Sequence, residues 1–572
     1  MNEQEDREWK NADTCGAWKQ LGDLAAEETP RLRALLSEQR IHSYSCPQGG
    51  GLIYNFAAKA VDDSVLDALQ NLSDQQELIG KYWDLLSGDR VNTGENRRVL
   101  HHLTRVQLGC DVLEQDDRPH DQRLEAYNGK EGLEMPAPAA GRNLRTFYVE
   151  QHQRVADFAR AVRDGSITGS TGKRFTRVVQ IGIGGSDLGP RALYLALKNL
   201  PCAEGETRLP GDFISNVDPD DAAAVLATCD PQRTLFVLVS KSGTTQETLT
   251  NEALVKSFLA ENGGAGIDPA RHIVCVTSET SPLADRARAG EYLEAFYIDD
   301  NIGGRYSSTS AVGAVILSSC FGPNVFAELL AGAAEADTAA LNPNIRENAA
   351  LLDALIGVWE RNFLGFASTA VLPYSQALSR FPAHLQQLDM ESSGKSVNRY
   401  GEALSYATGP VIFGEPGTNG QHSFYQLLHQ GTSIVPLQFI GFRSCQSGQD
   451  TVFQNSSSQQ KLNANLAAQI TAFALGSGSD NPNKHFPGER PSSLLFGEQL
   501  SARSLGALLA HFENKVMFQG FVWNINSFDQ EGVQLGKILT KKLLENSPAT
   551  QDNTATKPDD SILRAFAGLL GL

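Results

Sequence analysis

The segment Ser240-Lys241-Ser242-Gly243-Thr244-Thr245 gathers four hydroxyls, one glycine and one amine into six residues, directly after the apolar run Leu235 to Val239. From Gln246 onward Leu249, Ala253, Leu254 and Phe258 recur at helical spacing, with Glu247 in the first turn. A buried strand, a polar turn and a helix are expected in that order, with the hydroxyls at the helix N-terminus. Backbone N–H groups and the positive end of the dipole favour an anion there, whereas an ordinary cap needs only one Ser or Thr. The chemistry implied is phosphate binding, and the GxxxxGK[ST] spacing of a Walker loop is absent.

A second strand-glycine-helix signal is Ile181-Gly-Ile-Gly-Gly-Ser-Asp-Leu-Gly189. A dinucleotide fingerprint needs Gly at position 187, where the chain has Asp187. Gly184 and Gly185 permit close backbone approach and Ser186 adds a hydroxyl, so this turn is expected to close the same anion pocket. Arg305 follows two glycines in a stretch with no further charge until Glu328, which suits a counter-ion to something anionic. Asp389 and Glu391 share a face if that segment is extended and are separated if it is a short helix; alone they are a weak acid–base signal. Gly414 to Tyr425 carries three glycines into a helix whose first turn is expected to contain His422, a capping or proton-exchanging imidazole. Gln530 and Lys537, seven residues apart, are expected two turns apart on one helix face, with Gly536 leaving room beside them.

The elements that must position these groups alternate. Strands are expected over 177–183, 212–217, 235–239 and 272–277, separated by helices over 188–200, 220–228 and from 246, which means a parallel sheet covered on both faces. Such sheets bind ligands at the carboxyl ends of their strands. A second series follows from about Ile345, with strands over 367–372, 411–414 and 434–442 and helices over 459–475 and 505–518. Before it come a polar lead-in, an amphipathic stretch around Leu24 to Leu36 broken at Pro47 to Gly51, and helical periodicity over 61–86 and 98–113. Met135 to Gly141 is expected as a connector and Pro482 to Pro491 as a loop. After Ser547 a linker-like run leads to Ile562–Leu572, too short for a stable lone helix and therefore expected to dock.

With 572 residues and a net charge of −18, the chain has the wrong sign for nucleic acid or an anionic membrane as a general partner. Its eight cysteines include no CxxC pair, as expected for free thiols in a reducing compartment, and the acidic start shows no secretory signal. Tyr306 to Ala327 is uncharged, but its Ser, Thr, Asn and Pro residues suit a buried helix and turn. His101-His102 is expected as a helix-surface pair and not as a metal site. The composition points to a cytoplasmic chain with neither membrane nor nucleic acid as partner.

Six motifs, IGIGGSDLGP, SKSGTTQET, GGRYS, DMESSGK, GEPGTNGQHSFYQLLHQGT and NINSFDQEGVQLGK, stand in this order. With them the chain resembles the phosphoglucose isomerase family from about Gly51 to Ser547. The resemblance implies an α/β chain of two αβα sandwich domains of sugar-isomerase type, each on a doubly wound, mostly parallel sheet, with a helical N-terminal extension and a C-terminal arm. The expected division is 1–145 with the larger domain, 146–335 as the smaller phosphate-binding domain, 336–547 as the larger domain and 548–572 as the arm.

It also implies reversible aldose–ketose isomerisation of glucose 6-phosphate and fructose 6-phosphate by ring opening and a cis-enediolate. No cofactor or metal is implied, and the working form is a homodimer with composite sites. Gly185, Ser186, Ser240, Lys241, Ser242, Gly243, Thr244 and Thr245 resemble the family's phosphate cradle, and Gln387 and Gln530 its substrate-positioning amides. Glu391 resembles the base that moves a proton between C1 and C2, and Arg305 the group that stabilises the enediolate. His422, from the neighbouring subunit, and Lys537 resemble the ring-opening pair. The chain departs from the family pattern at Gly243, where Phe is common, at Ser308-Thr309, where Leu-Trp is common, and at Leu388, where a smaller residue is frequent.

Overall fold

The polar turn and the glycine turn leave neighbouring strands of one sheet. In the computed structural model, which describes residues 7–27, 31–105, 142–202, 207–545 and 558–572, that sheet has five parallel strands. In spatial order they are Gly211–Ile214, Arg177–Ile181, Thr234–Val239, Ile273–Thr277 and Glu294–Tyr297. Thr234–Val239 is buried at all six positions, as a strand covered on both faces must be. Val179, Ile181, Phe236 and Leu238 pack with Val255 and Leu259 of the helix Gln246–Asn262. The fully buried helix Ala311–Phe321 packs on the same two strands.

A second sheet has six strands in the order Ser45–Gly49, Leu52–Asn55, Ser492–Gly497, Leu437–Phe442, Ser368–Pro373 and Val411–Phe413. The last four are parallel, and Leu52–Asn55 joins them antiparallel. Ala370, Leu372, Leu437 and Phe439 form its core with Leu466 and Phe473 of the helix Ser458–Leu475. The buried helix Ala502–Val522 packs against the helices Pro323–Ala339 and Ala349–Val358. The fold is therefore α/β with mostly parallel sheets.

By compactness the chain divides into Met1–Ser527 and Phe528–Leu572. The second unit consists of the short helical turn Glu531–Val533 and the helices Gln534–Glu545 and Pro558–Leu569.

The seven expected strands form, with ends shifted by up to three residues. Among the described residues six others were not expected, two of them the two-residue strands Val452–Phe453 and Ser456–Ser457, which pair only with each other. Residues 1–145, expected to be helical, contribute the hairpin Ser45–Gly49 and Leu52–Asn55, whose Pro47 and three consecutive glycines hide its pattern. Pro47 is tolerated because its strand lies at the sheet edge. Ser492–Gly497 opens with two serines and Glu294–Tyr297 has only four residues, so neither shows a strong period.

The expected surface pair His101-His102 is corrected. Both are buried in the turn His101–Arg105, the His101 ring 4.9 Å from that of Tyr306 and the His102 Nε2 3.3 Å from the Leu86 carbonyl. Burial, reinforced by Arg105, lowers the pKa of both, that of His102 to about 3. The helical stretch beyond 105, the connector at 135–141 and the linker-like run at 548–557 lie outside the described residues. Among the described residues no helix is long and apolar enough to cross a membrane, no group of three His, Cys, Asp or Glu side chains is placed to hold a metal ion, and seven cysteines are free thiols.

Candidate active site

The first sheet reverses its direction of growth between Arg177–Ile181 and Thr234–Val239, which pair in parallel with Ile181 opposite Leu238. Both strands therefore release their turns at the same end, at the topological switch point where open α/β sheets take ligands. The first turn is the short helical segment Gly184–Ser186. The second begins at Ser240 and ends at Thr245, which caps the helix Gln246–Asn262 without a side-chain hydrogen bond.

Within that second turn the hydroxyls divide. Ser240 is buried; its Oγ accepts from the Gly243 N–H at 3.2 Å and lies 3.0 Å from Thr245 Oγ1, so it shapes the loop. Ser242 and Thr244 are exposed, with their hydroxyls 3.0 Å apart. Lys241 Nζ donates to the Ile302 carbonyl at 3.0 Å, and burial lowers its pKa. Lys241 thus ties the hydroxyl turn to the segment that leads into Arg305.

Arg305 sits in the turn Gly304–Thr309 and is 1 % exposed. Its Nε donates to Ser392 Oγ at 2.6 Å and its Nη2 to the Ser527 carbonyl at 2.6 Å, while Nη1 lies 3.4 Å from Glu391 Oε2. The Tyr306 hydroxyl reaches the same Ser392 Oγ at 3.1 Å. Gly185 explains how the two glycine turns meet. A Cβ there would lie 2.2 Å from both C and O of Gly304 and 2.8 Å from Arg305 N, so only glycine allows this contact. Gly185→Ala is expected to destabilise the chain by about 1–3 kcal/mol through overpacking against backbone, read as a lower urea midpoint; an unchanged midpoint would contradict this contact.

Gln387 and Glu391 open and close a π-helical turn, Gln387–Glu391, that continues the helix Phe381–Gln386. Such turns widen a helix locally and recur at functional sites. Asp389 is 6 % exposed, whereas the Glu391 side chain keeps 18 % of its surface. The segment is helical, so the two carboxylates are separated. Glu391 Oε2 is near enough to Arg305 for charge pairing but makes no hydrogen bond among the described residues, and neither does Gln387 Oε1. Gln387 Nε2 lies 3.4 Å from where a Cβ on Gly184 would stand, so the π-turn meets the glycine turn of the first sheet.

The structure thus joins Gly185, Arg305, Gln387 and Glu391, with the hydroxyl turn tied in through Lys241 and Ile302. Ser186 belongs to the same glycine turn, its carbonyl accepting from Gln180 Nε2 at 2.7 Å. His422 is exposed and ends the short turn Asn419–His422, ahead of the helix Tyr425–Gln430, so its expected place in a helix first turn is corrected. The intervening Ser423 and Phe424 delay the helix. Gln530 precedes the turn Glu531–Val533 and only Lys537 lies on the helix Gln534–Glu545; the expected shared helix face is corrected, because Gln530 does not belong to that helix. Both belong to the second unit.

The family model described as phosphoglucose isomerase matches residues 132–563. The chain belongs to the phosphoglucose isomerase family. It is 57 % identical over 545 residues to a glucose-6-phosphate isomerase of Treponema denticola, covering 94 % of this chain and 97 % of that one. It is 54 % identical over 569 residues to that of Treponema pallidum, covering 99 % and 98 %. The crystal structure of a glucose-6-phosphate isomerase from Chlamydia trachomatis superposes with a TM-score of 0.84 at 43 % identity, covering 98 % of this chain and all of that one.

Against this phosphoglucose isomerase background the departures have local causes. Gly243 has φ +67°, and a Cβ there would stand 2.9 Å from Ser281 Cβ and 3.1 Å from Leu283 N, so this turn demands glycine. Ser308 Oγ lies 1.9 Å from the place of a Cβ on Gly189, which makes the two small residues a matched pair. Leu388 is fully buried within the π-turn. Sequence reasoning missed Ser392 and the Ser527 carbonyl, which hold Arg305. Ser392 adjoins Glu391 in its motif and could have been marked, but a backbone carbonyl carries no sequence signal.

Proposed function

We propose that this chain converts glucose 6-phosphate to fructose 6-phosphate and back, with Glu391 as the base and Arg305 as its cationic partner. The observation that carries this reading is the Glu391 carboxylate 3.4 Å from a buried guanidinium, on a π-turn that touches the glycine turn of the phosphate end. A C–H next to a carbonyl is a poor acid, so its removal needs a positioned base and a cation where oxyanion charge grows. Glu391 takes the proton from C2 of the open-chain aldose and returns it to C1, while the hydroxyl proton of O2 passes to O1, through a cis-enediolate whose charge Arg305 offsets.

The phosphate sits on Ser242, Thr244, Thr245 and the N–H groups of the helix they precede, with Gly185 and Ser186 closing the cradle, Ser240 and Gly243 shaping it, and Lys241 fastening it. Binding the phosphate away from the reacting carbons contributes orientation. Gln387 and Gln530 position the sugar, and His422 of a second copy acts with Lys537 in opening the ring. The exposure of His422 on its own chain supports that division of labour.

The homodimer and a cytoplasmic location are part of this proposal. So is the division at 146–335 and 336–547, with 1–145 joined to the larger part and 548–572 as an arm; the strands of the first sheet all fall inside 146–335, which supports it. In the arm, Ile562, Phe566 and Leu569 recur at helical spacing and suit docking on another subunit. Deleting 549–572 is expected to lower the mass in solution from dimer to monomer, and an unchanged dimer would argue against it. A coupled assay with purified protein and fructose 6-phosphate, without nucleotide in the isomerising step, tests the main reading. Glucose 6-phosphate formation is expected, and binding without turnover would overturn it.

A further inference from the structure

Behind the π-turn lies a set of buried charges that the proposed reaction does not use. Lys515 Nζ lies 3.0 Å from Asp353 Oδ2 and donates to Gln438 Oε1 at 3.1 Å, and the Tyr54 hydroxyl donates to Asp353 Oδ1 at 2.9 Å. Lys59 Nζ holds both oxygens of Glu360 at 2.9 and 3.0 Å. Asp389, Lys515, Lys59, Glu360, Gln438 and Gln519 line one cavity, which leaves about 20 Å³ for the centre of a water molecule. That is room for one water, which needs roughly 10–15 Å³ and two to four polar partners. Two of the residues that line it each carry a buried acceptor, Asp389 Oδ1 and Gln519 Oε1, that makes no hydrogen bond among the described residues. A water that donates one proton to each, and accepts from one of the lysines, satisfies both.

Resting on the reading of Glu391 as the base, we propose that Asp389 is a positioning residue: its ionised carboxylate and one cavity water fix the π-turn in the register that aims Glu391 at the substrate. The geometry is direct, since Asp389 and Glu391 occupy one five-residue turn and differ in which way they look, one inward to the cavity and one toward Arg305. Protonation of Asp389 replaces an acceptor by a donor, and the water must then turn or leave.

Burial raises the Asp389 pKa to about 6, with Lys515 and the nearby Ser393 hydroxyl pulling it down and Asp353 pushing it up. The other charges around it are Lys59, Glu360 and Arg361 across the cavity and Arg305 beside Glu391, while His384 on the preceding helix is kept neutral by burial, with a pKa of about 4. A carboxyl whose pKa is raised on folding costs stability above about pH 6, and that cost is relieved as pH falls toward its unfolded value. Asp389→Asn removes the cost while keeping the shape, so the melting temperature at pH 7.5 is expected to hold or rise although turnover falls.

The test is kcat and KM for fructose 6-phosphate between pH 5 and 8.5. Wild-type kcat is expected to fall below about pH 6 while KM stays level. Asp389→Asn is expected to lower kcat by about 10- to 100-fold, the scale of a misplaced reacting group, with KM nearly unchanged and the limb near pH 6 gone, leaving only that of the base Glu391. A variant that keeps the wild-type limb, or keeps wild-type kcat, overturns the proposal. Should the variant fail to fold, the wild type and a second variant decide. A carboxyl limb hardly moves between 10 and 40 °C, and Gln519→Leu, which removes the other acceptor of the water, is expected to shift it upward; a limb that drops with temperature as an imidazole does, no limb at all, or a limb unmoved in Gln519→Leu overturns the role of Asp389. A protein that does not isomerise at all refutes the reading of Glu391 instead.

Discussion

Replacing Glu391 by Gln is expected to lower kcat by about 10²- to 10⁴-fold, the contribution of a positioned general base, with little change in KM. Gln keeps the size and one oxygen of the carboxylate but cannot take a proton from carbon. The exchange breaks no hydrogen bond of Glu391 Oε2, but it takes the carboxylate charge from beside the buried Arg305, which keeps its bonds to Ser392 and the Ser527 carbonyl. A stability cost of about 1–3 kcal/mol is therefore expected, too small to unfold the chain. Full activity in Glu391→Gln, measured by the coupled assay, would remove the base from this account. A proportional fall of activity and folded fraction would make the residue structural.

The second large effect is expected at Arg305. One planar guanidinium serves Ser392 Oγ, the Ser527 carbonyl and the Glu391 carboxylate in three directions, all within a side chain that is 1 % exposed. An ammonium cannot reproduce that fork. Arg305→Lys is expected to lower kcat by about 10²- to 10³-fold, the range for a lost oxyanion stabiliser. It is also expected to cost about 1–3 kcal/mol of stability from a buried acceptor left without its donor. The phosphate cradle lies on other residues, so KM should change much less than kcat. A Lys variant with near-wild-type kcat and a lowered melting temperature would mean that Arg305 only braces the fold.

These two expectations show how far single residues could be read before the fold was known. The hydroxyl turn and the glycine turn were legible because a buried strand, a short polar turn and a helix each leave a local pattern, and Thr234–Val239 and Gln246–Asn262 fall where that pattern places them. Arg305 stood out because it interrupts an uncharged stretch. Asp389 and Glu391 were legible as a pair of acids but not as opposites. Only the π-turn sends one into a cavity and leaves the other beside a cation. The sequence pattern starts the helix Tyr425–Gln430 too early, at His422, because Ser423 and Phe424 carry no signal that separates the turn Asn419–His422 from it.

From the residues alone came the chemistry: an anion cradle, a lone arginine, a carboxylate and the family they resemble in order. The tertiary structure decided which of them meet. Gly185 against Gly304, Lys241 on the Ile302 carbonyl, Arg305 on the Ser527 carbonyl and Gln387 beside Gly184 are contacts between segments separated by 61 to 222 positions for the two hydrogen-bonded pairs. Local periodicity reports which face of an element is buried, but not which distant backbone it is buried against. That choice is made by packing, where a single Cβ at position 185 would already be too much.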